Sequence, residues 1–396
     1  MSHLPPLAQP APGAAAPIAP ATVSPAPIGV PPAPAARRER GRSAPIWLFA
    51  ILVVLLIALV AYILTFLGVV ASVVGMVLAL IPLAGVLVAV RLVDRWEPEP
   101  ARLVVFAVAW GAIAAVAIAL GVDILLEFLV PAGANDAARD AFSSVVQAPL
   151  VEEFAKGLGV FLVFVFARRA FDGPVDGVVY GALVGAGFAF TENILYFATS
   201  LIEGGPAETA FTFFLRGILS PFAHVMFTAV TGYAIGLAAR RGATVGQAAG
   251  AGVLGALGGA LLHALWNGSA VFADFFHLYV VLQIPLFIGF VVSIVALRRE
   301  EARLTRARLG EYAAAGWFTP LEVDLLATPA GRRRALAWAR TLPGDRTREM
   351  RVFIREATSL AAARQRTWTG RDPESVRDEH TALARTTSAR AALLRP

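Results

Sequence analysis

The sequence predicts an all-α, polytopic membrane protein with about eight transmembrane helices and a small helical cytoplasmic C-terminal tail. Composition is the first reason: 57% of the 396 residues are hydrophobic and 16% are charged, and the mean hydropathy of +0.68 is too high for a soluble protein of this length. The second reason is that apolar runs of about 20 residues, the length needed to cross a bilayer, recur along the chain. The third is that arginines cluster at alternate ends of these runs.

Three regions follow from the composition. Residues 1–43 form a leader rich in Pro and Ala, which we expect to be disordered and cytoplasmic. Residues 44–299 hold the apolar runs. Residues 300–396 form a soluble helical tail, which we expect to be disordered from about Thr367. Helix breaks are expected in the tail at Thr319-Pro320, Pro329 and Pro343-Gly344.

The predicted spans are approximately 46–66, 69–90, 102–122, 145–166, 177–200, 217–238, 245–271 and 278–297. A turn at Gly68 separates the first two spans. Arginines mark the cytoplasmic ends, so both termini are expected in the cytoplasm of a bacterial cell. In the fifth span, Gly177, Gly181 and Gly185 recur every four residues, which predicts close approach to a neighbouring helix.

Several classes of function are excluded or disfavoured. The chain has no cysteine, which excludes disulfides, thiolate metal sites and a cysteine nucleophile. The net charge of +6 comes from arginines beside apolar runs and in the tail, so it indicates topology and lipid contact and not nucleic-acid binding. Any metal would require His and carboxylate ligands.

The fourth span carries the most unusual residues, Glu152, Glu153 and Lys156, inside an apolar segment. Lys156 is the only lysine of the chain, and it lies one helical turn after both carboxylates. Charged groups at this depth persist only when they face a bundle interior and have partners. One ammonium neutralises one carboxylate, so the second must be protonated, hydrogen-bonded or bound to a cation.

Polar residues of four spans are expected at a common depth of about 10–15 Å below the outer surface. They are Glu152, Glu192, His224 and His263. This combination suits water activation by a carboxylate with an imidazole or amide stabilising the oxyanion. A zinc site made by Glu192, His224 and His263 is the alternative. Both arrangements predict hydrolysis.

Each of these residues also has a structural interpretation. Glu153 and Lys156 could be an ion pair that ties spans together. His224 could donate to a backbone carbonyl, and Asn193 and Asn267 could form hydrogen bonds between helices. The functional hypothesis therefore depends on the whole set of residues.

The motifs together resemble the PrsW family of intramembrane proteases, relatives of the CAAX prenyl protease superfamily. The matching segments are Glu152-Glu153-Phe154-Ala155-Lys156, Phe188-Ala189-Phe190-Thr191-Glu192, His224, His263-Ala264-Leu265-Trp266-Asn267 and Asp94 to Pro100. The resemblance covers about Val69 to Arg299. It implies a helical protease whose substrate is a membrane-anchored protein; the named member of the family cleaves an anti-sigma factor.

The resemblance also implies roles for individual residues. Glu152 would be the water-activating base, and Glu153 its partner held by Lys156. The group that polarises the scissile carbonyl would be His224, His263 and Asn267, with Phe188, Glu192 and Asn193 in support. A zinc ion and a metal-free glutamate mechanism are both compatible with these residues, and the adjacent carboxylates favour the metal-free mechanism.

Two other functions are compatible with the sequence. A proton- or cation-coupled transporter could use Glu152, Glu153 and Glu192 as relay carboxylates. Repeated halves and broken helices would favour a transporter, and the sequence shows neither. A non-enzymatic membrane scaffold or sensor would need only the tail. The sequence leaves the oligomeric state open.

Overall fold

The computed structural model describes residues 44–95, 98–129, 136–168, 170–272, 274–370 and 374–395. All regular elements within these ranges are helices. The predicted leader and two residues of the Asp94 to Pro100 segment, Trp96 and Glu97, lie outside the described residues. The chain forms two compact units, one of which comprises Ser43–Leu297 while the other includes Arg298–Pro396.

The helices of the first unit are α1 (Ala44–Val93), α2 (Ala101–Ala109), α3 (Val116–Leu129), α4 (Asp136–Phe142), α5 (Ala148–Phe166), α6 (Pro174–Phe213), α7 (Ala223–Arg240), α8 (Val245–Phe272), α9 (Phe275–Leu278) and the start of α10 (Ile284–Ala314). Four π-helical segments interrupt this series: π1 (Trp110–Ala115), π2 (Ser143–Gln147), π3 (Phe214–Leu219) and π4 (Tyr279–Gln283). Such segments are rare and often occur at functional sites.

Five helical stretches of the described chain are long and apolar enough to cross a membrane. They are Trp47–Val93, Ala101–Leu129, Pro174–Arg240, Val245–Val271 and Phe275–Ala314. The first contains 47 residues, about 70 Å of helix, which is more than twice the apolar thickness of a bilayer. Gly68 interrupts it with φ 70°, at the position where a turn was predicted. Glycine adopts this conformation without the steric cost that other residues bear.

Glycines bring α6 and α7 close together, as their spacing predicted. A Cβ atom added to Gly177, Gly181 or Gly185 would lie within 2.0–2.6 Å of a carbonyl oxygen of α7. For Gly185 that oxygen belongs to His224, at 2.4 Å. Only a residue without a side chain permits this approach. The packing therefore places the backbone of His224 directly beside the helix that carries Glu192.

A tryptophan fixes the rotation of α5. Trp110 donates its indole N–H to the carbonyl oxygen of Ala155 over 3.0 Å, and it packs where Gly159 has no side chain; a Cβ there would lie 2.1 Å from the ring. Trp110 begins π1. Gly159 lies two helical turns after Glu152, so the indole packs beside the helix face that carries the ionisable residues of α5.

The second unit contains the end of α10 and four helices: α11 (Pro320–Ala327), α12 (Pro329–Thr341), α13 (Thr347–Thr369) and α14 (Ser375–Leu393). The predicted breaks are present. Thr319 caps α11 in a capping box with Glu322, and Thr328 caps α12. In both helices proline is the first residue, where its missing N–H costs nothing.

The end of the chain differs from the expectation of disorder beyond Thr367, because α14 is helical and packs into the core of its unit. Leu383 and Leu393 are 5% and 3% exposed, and Glu379 accepts a hydrogen bond from the Tyr312 hydroxyl over 2.6 Å. The buried face of α14 consists largely of Ala, Ser and Thr. A stripe of small residues has a weak hydrophobic pattern, which explains why it was read as a polar, unfolded segment.

Candidate functional site

The three ionisable residues of α5 form a compact ion cluster. Lys156 Nζ lies 3.0 Å from Glu152 Oε2 and 2.8 Å from Glu153 Oε1. The spacings of four and three residues put all three side chains on one helix face, so this part of the site is local in sequence. The ammonium also lies 3.7 Å from the centre of the Phe188 ring, a cation–π contact. Lys156 is fully buried.

His224 connects this cluster to Glu192. Its Nδ1 lies 3.0 Å from Lys156 Nζ, and its Nε2 lies 2.8 Å from Glu192 Oε2. An ammonium can only donate hydrogen bonds, so Nδ1 must accept and Nε2–H must donate to the carboxylate. The two contacts therefore assign a single neutral tautomer to His224 in this arrangement.

His263 approaches the carboxylates from α8. Its Nδ1 lies 3.3 Å from Glu153 Oε1 and 3.8 Å from Glu152 Oε2, yet it is buried without a hydrogen bond of good geometry. The ring stacks on Phe227 at 4.9 Å between centroids, with 19° between planes. His263 thus presents a ring nitrogen that has no settled protein partner within the described chain.

The two carboxylates of α5 have different surroundings. Glu153 is 0% exposed and also accepts a hydrogen bond from the Thr228 hydroxyl over 3.0 Å. Glu152 is 8% exposed and lines a cavity. No donor of the described chain reaches Glu152 Oε1, since Lys156 binds Oε2. Glu152 is the carboxylate that water can reach.

Arg216 is part of the site and was not identified from the sequence. It lies in π3, pairs with Glu192, donates from Nε to Asn193 Oδ1 over 2.9 Å, and stacks on the Tyr196 ring at 3.8 Å. It directly precedes the sixth predicted span, 217–238, and no role was assigned to it from the sequence. An arginine inside the run Phe211 to Leu219 was the available signal.

Asn267 lies at the rim of the site. Its Nδ2 donates to the carbonyl oxygen of Ser144, in π2, over 2.8 Å. It makes no hydrogen bond with the ion cluster among the described residues, although it borders the same cavity. The amide therefore ties α8 to the segment that leads into α5.

A cavity of about 250 Å³ joins these groups. Its polar lining includes Glu152, Glu192, Asn193, Arg216, His224, His263 and Asn267. The side chains expected at a common depth thus border one space that is large enough for several water molecules, to which α5, α6, α7 and α8 each contribute. Glu153, Lys156 and Phe188 lie behind this lining. Three carboxylates face two cationic side chains, so the cluster has the local charge to attract a further proton or cation.

The donors suit a divalent metal. One ligand atom from each of Glu152, Glu153, His224 and His263 lies within 4.8 Å of the others, and oxygen with imidazole nitrogen is a ligand combination that zinc accepts. The Nδ1 of His263, which makes no hydrogen bond of good geometry in the described chain, is consistent with such a site. Lys156 now contacts three of these four residues. The structure groups Glu152 and Glu153 with the histidines, whereas Glu192, the predicted ligand, is held on the far side of His224 by Arg216.

The amino-acid sequence is similar to known proteins over the region that forms the site. Residues 99–290 match the family model described as PrsW family intramembrane metalloprotease. A protein named Protease PrsW from Geobacillus kaustophilus is 34% identical over 145 residues, which is 37% of this chain and 58% of that protein. The Protease PrsW of Oceanobacillus iheyensis is 37% identical over 92 residues, 23% of this chain and 39% of the relative. That of Bacillus subtilis is 29% identical over 145 residues, covering 37% of this chain and 60% of its own.

The chain spans less than two thirds of the length of each of these curated relatives. No solved structure matches the chain. The matched range, 99–290, contains every residue of the ion cluster and of the cavity lining.

Proposed function

We propose that this chain, whose residues 99–290 match the PrsW-protease family model, is an intramembrane protease that hydrolyses peptide bonds of membrane-anchored proteins. The observation that supports this most directly is the position of Glu152. It is the one carboxylate of the buried pair that borders the cavity, and His224 and His263 border the same space. A base, two imidazoles and room for water are the requirements of hydrolysis at a low-dielectric site.

In the proposed mechanism Glu152 acts as general base. Its carboxylate takes a proton from a water molecule in the cavity while the water oxygen attacks the scissile carbonyl carbon. The proton then passes from Glu152 to the leaving amine nitrogen, and the bond between carbon and nitrogen breaks. Lys156 holds Glu152 Oε2 in place and leaves Oε1 for the water. Glu153, which does not line the cavity, accepts a hydrogen bond from the Lys156 ammonium and holds it in position.

Negative charge on the carbonyl oxygen requires donors that face the cavity. His224, His263 and Asn267 line it. His263 and Asn267 can donate a hydrogen bond to an oxyanion directly, whereas His224 would first have to release its single N–H from Glu192. Glu192 orients His224 by accepting its Nε2–H. Arg216 and Asn193 hold Glu192 in turn. This chain of contacts fixes the imidazole before the substrate arrives, which reduces the reorganisation needed in the transition state.

A metal ion is compatible with the same residues. Glu152, Glu153, His224 and His263 would hold it. A bound zinc ion would supply a Lewis acid for the carbonyl and would make bound water more acidic. A metal ion would compete with Lys156 for Glu152, Glu153 and His224, which the ammonium contacts in this structure.

For the topology we propose about eight crossings, with both termini in the cytoplasm of a bacterium and a cytoplasmic tail formed by the second unit. α1 would cross twice, with the turn at Gly68. The stretch Pro174–Arg240 is long enough to cross twice, and α5 would cross despite its three ionisable residues, because these face the bundle. The remaining crossings are Ala101–Leu129, Val245–Val271 and the start of α10. The expected partners are the lipid bilayer and a membrane-anchored protein, with no nucleic acid.

A transporter or a scaffold is less well supported. A transporter would use the buried carboxylates as a relay, but all three are in ion pairs with Lys156 or Arg216. A scaffold gives no reason for a polar cavity at this depth.

The test is cleavage of single-pass membrane reporter proteins in reconstituted vesicles. We expect Glu152→Gln to lower the cleavage rate at least about 100-fold, the usual effect of losing a general base. Glu203→Gln, on an exposed part of α6, is the matched control and should retain the wild-type rate. Equal rates in both variants would refute the assignment of Glu152.

A chelator separates the two mechanisms. If 1,10-phenanthroline abolishes cleavage and added zinc restores it, the metal-assisted mechanism is supported. Unchanged cleavage supports the glutamate mechanism. Zinc content measured on wild type and His263→Ala gives a second readout that does not depend on activity.

A further inference from the structure

A second cavity, of about 60 Å³, lies beside the candidate site between α7, α8 and the start of α10. We call it the side groove. All its lining residues except Trp266 and Gln283 have purely apolar side chains. At its border, Leu265 and Leu286 are 42% and 37% exposed. Both leucines belong to stretches that can cross a membrane, so the border of the side groove faces lipid.

Two aromatic rings separate the side groove from the candidate site. Trp266 lines both cavities. Phe227 lines the side groove, and its ring stacks on His263. The centroids of the two partition rings are 6.3 Å apart. A molecule in the side groove is therefore separated from His263 by a single aromatic ring, that of Phe227.

Gln283 contributes an unusual polar group to this apolar space. The residue is 3% exposed and ends π4. Its Nε2 donates to Ser269 Oγ over 2.5 Å, while the Ser269 hydroxyl donates to the carbonyl oxygen of Trp266 over 2.7 Å. Since the serine proton is already used, the amide atom facing Ser269 must be the nitrogen. Oε1 then points away from Ser269, and it is buried without a partner.

A buried carbonyl oxygen without a donor costs free energy, so the nature of its natural partner matters. A lipid tail has no donor to offer. A water molecule needs two to four polar partners to be held well, and this groove offers few. The backbone N–H of a membrane segment that has lost its helical hydrogen bonds is a donor that must find an acceptor inside the membrane. Such a segment also carries apolar side chains that match the rest of the groove.

We propose that the side groove is the lateral access site for a membrane-spanning protein segment, and that Gln283 Oε1 accepts a backbone N–H of that segment where its helix is unwound. The inference rests on the proposed proteolytic function, because it supplies the extended backbone that a protease must receive. It also explains the position of Trp266, which contacts both the incoming segment and the cavity where Glu152 lies.

Binding of a backbone-modified probe tests this role in the full chain. The protein carries Glu152→Gln so that the probe stays intact, and it is reconstituted in phosphatidylcholine vesicles. The probe is a fluorescent single-pass peptide of about 20 Leu and Ala residues with a central Gly-Gly pair. In a series of probes, one backbone amide at a time is replaced by an ester, which removes the N–H and keeps the side chains.

We expect one ester position near the Gly-Gly pair to weaken binding about fivefold, the usual effect of one hydrogen bond. In Gln283→Leu the same ester should have no effect. Gln283→Glu keeps an oxygen acceptor at this position and should keep the ester sensitivity; it serves if the leucine variant fails to fold. Leu286→Trp should fill the groove and block binding. Ile288→Trp is the matched control, because Ile288 is 55% exposed and does not line the groove.

Three results would overturn the inference. The first is the absence of saturable binding, since the probe contains the apolar side chains and the unwound backbone N–H that the groove is proposed to bind. The second is an ester series with the same profile in the presence and absence of Gln283. The third is equal affinity in Leu286→Trp and Ile288→Trp, which a groove filled by a lipid tail would give. Ester-sensitive binding combined with a failure of wild type to cut any reporter would instead refute the proteolytic function and leave the groove assignment intact.

Discussion

Replacing Lys156 with methionine is the most direct test of the buried ion cluster. Among the described residues, Lys156 is the only lysine or arginine in contact with Glu152 and Glu153, at 3.0 and 2.8 Å, and its ammonium is fully buried. Methionine has a similar length and no charge. The change therefore leaves two carboxylates without their cation, one of them 0% exposed.

The expected magnitude follows from these distances. At about 3 Å and an effective dielectric constant near 20, each contact contributes about 5–6 kcal/mol of gross attraction. Desolvation of the three groups offsets much of this, and breaking a buried pair typically costs about 3–5 kcal/mol. We expect Lys156→Met to lower the free energy of unfolding by that amount. Removing the trapped charge as well, in Lys156→Met with Glu153→Gln, should restore at least about 2 kcal/mol.

The assay is equilibrium unfolding of the purified full chain in mixed micelles, followed by tryptophan fluorescence. Leu158→Met provides the matched control, because Leu158 lies on the same helix and is 43% exposed; its change should stay within about 0.5 kcal/mol. The reasoning is refuted if Lys156→Met costs no more than this control. It is also refuted if the double substitution costs the sum of the two single ones, since the carboxylate would then not be the source of the instability.

Two further stability changes follow from the packing. Gly181→Ala should destabilise the first unit by about 1–3 kcal/mol, because its Cβ would lie 2.6 Å from an α7 carbonyl oxygen. Gly121→Ala is the control: its Cβ would have no neighbour within 4 Å, so it should be neutral or slightly stabilising in the same micelle assay. Equal effects of the two substitutions would argue against the close contact between α6 and α7. Arg364→Met should lower the thermal unfolding temperature of the second unit by several degrees, since it leaves the buried Glu379 carboxylate without the guanidinium that lies 3.3 Å away. Arg355→Met, 62% exposed, should not, and a similar shift in both variants would contradict the assignment of Arg364 to the core.

Several parts of the site follow from the sequence alone because they depend on local geometry. Lys156 meets both carboxylates because spacings of three and four residues share a helix face. The convergence of His224 and His263 near Glu152 follows from their depths, since residues at equal height in packed helices are neighbours. The helix breaks in the tail follow from proline chemistry at Pro320 and Pro329.

Other parts depend on contacts between distant positions, which periodicity does not predict. Arg216 reaches Glu192 across 24 residues only because π3 turns its side chain back toward α6. In this arrangement Glu192 contacts both Arg216 and His224, while His263 lies beside Glu152 and Glu153. The docking of α14 depends on small residues whose burial is determined by the partner surface.

That these ionisable groups are buried together follows from the sequence, because charges inside an apolar chain must find partners within the bundle. Helix packing sets the partner that each group takes, the carboxylate that borders the cavity, and the acceptor, Gln283 Oε1, that has no partner within the described chain. Each charged residue has its own free-energy cost of burial, and that cost can be recognised from its position in the sequence. The pairing of two residues depends on the relative rotation and distance of their helices. Close glycine contacts and π-helical segments determine these to within single ångströms.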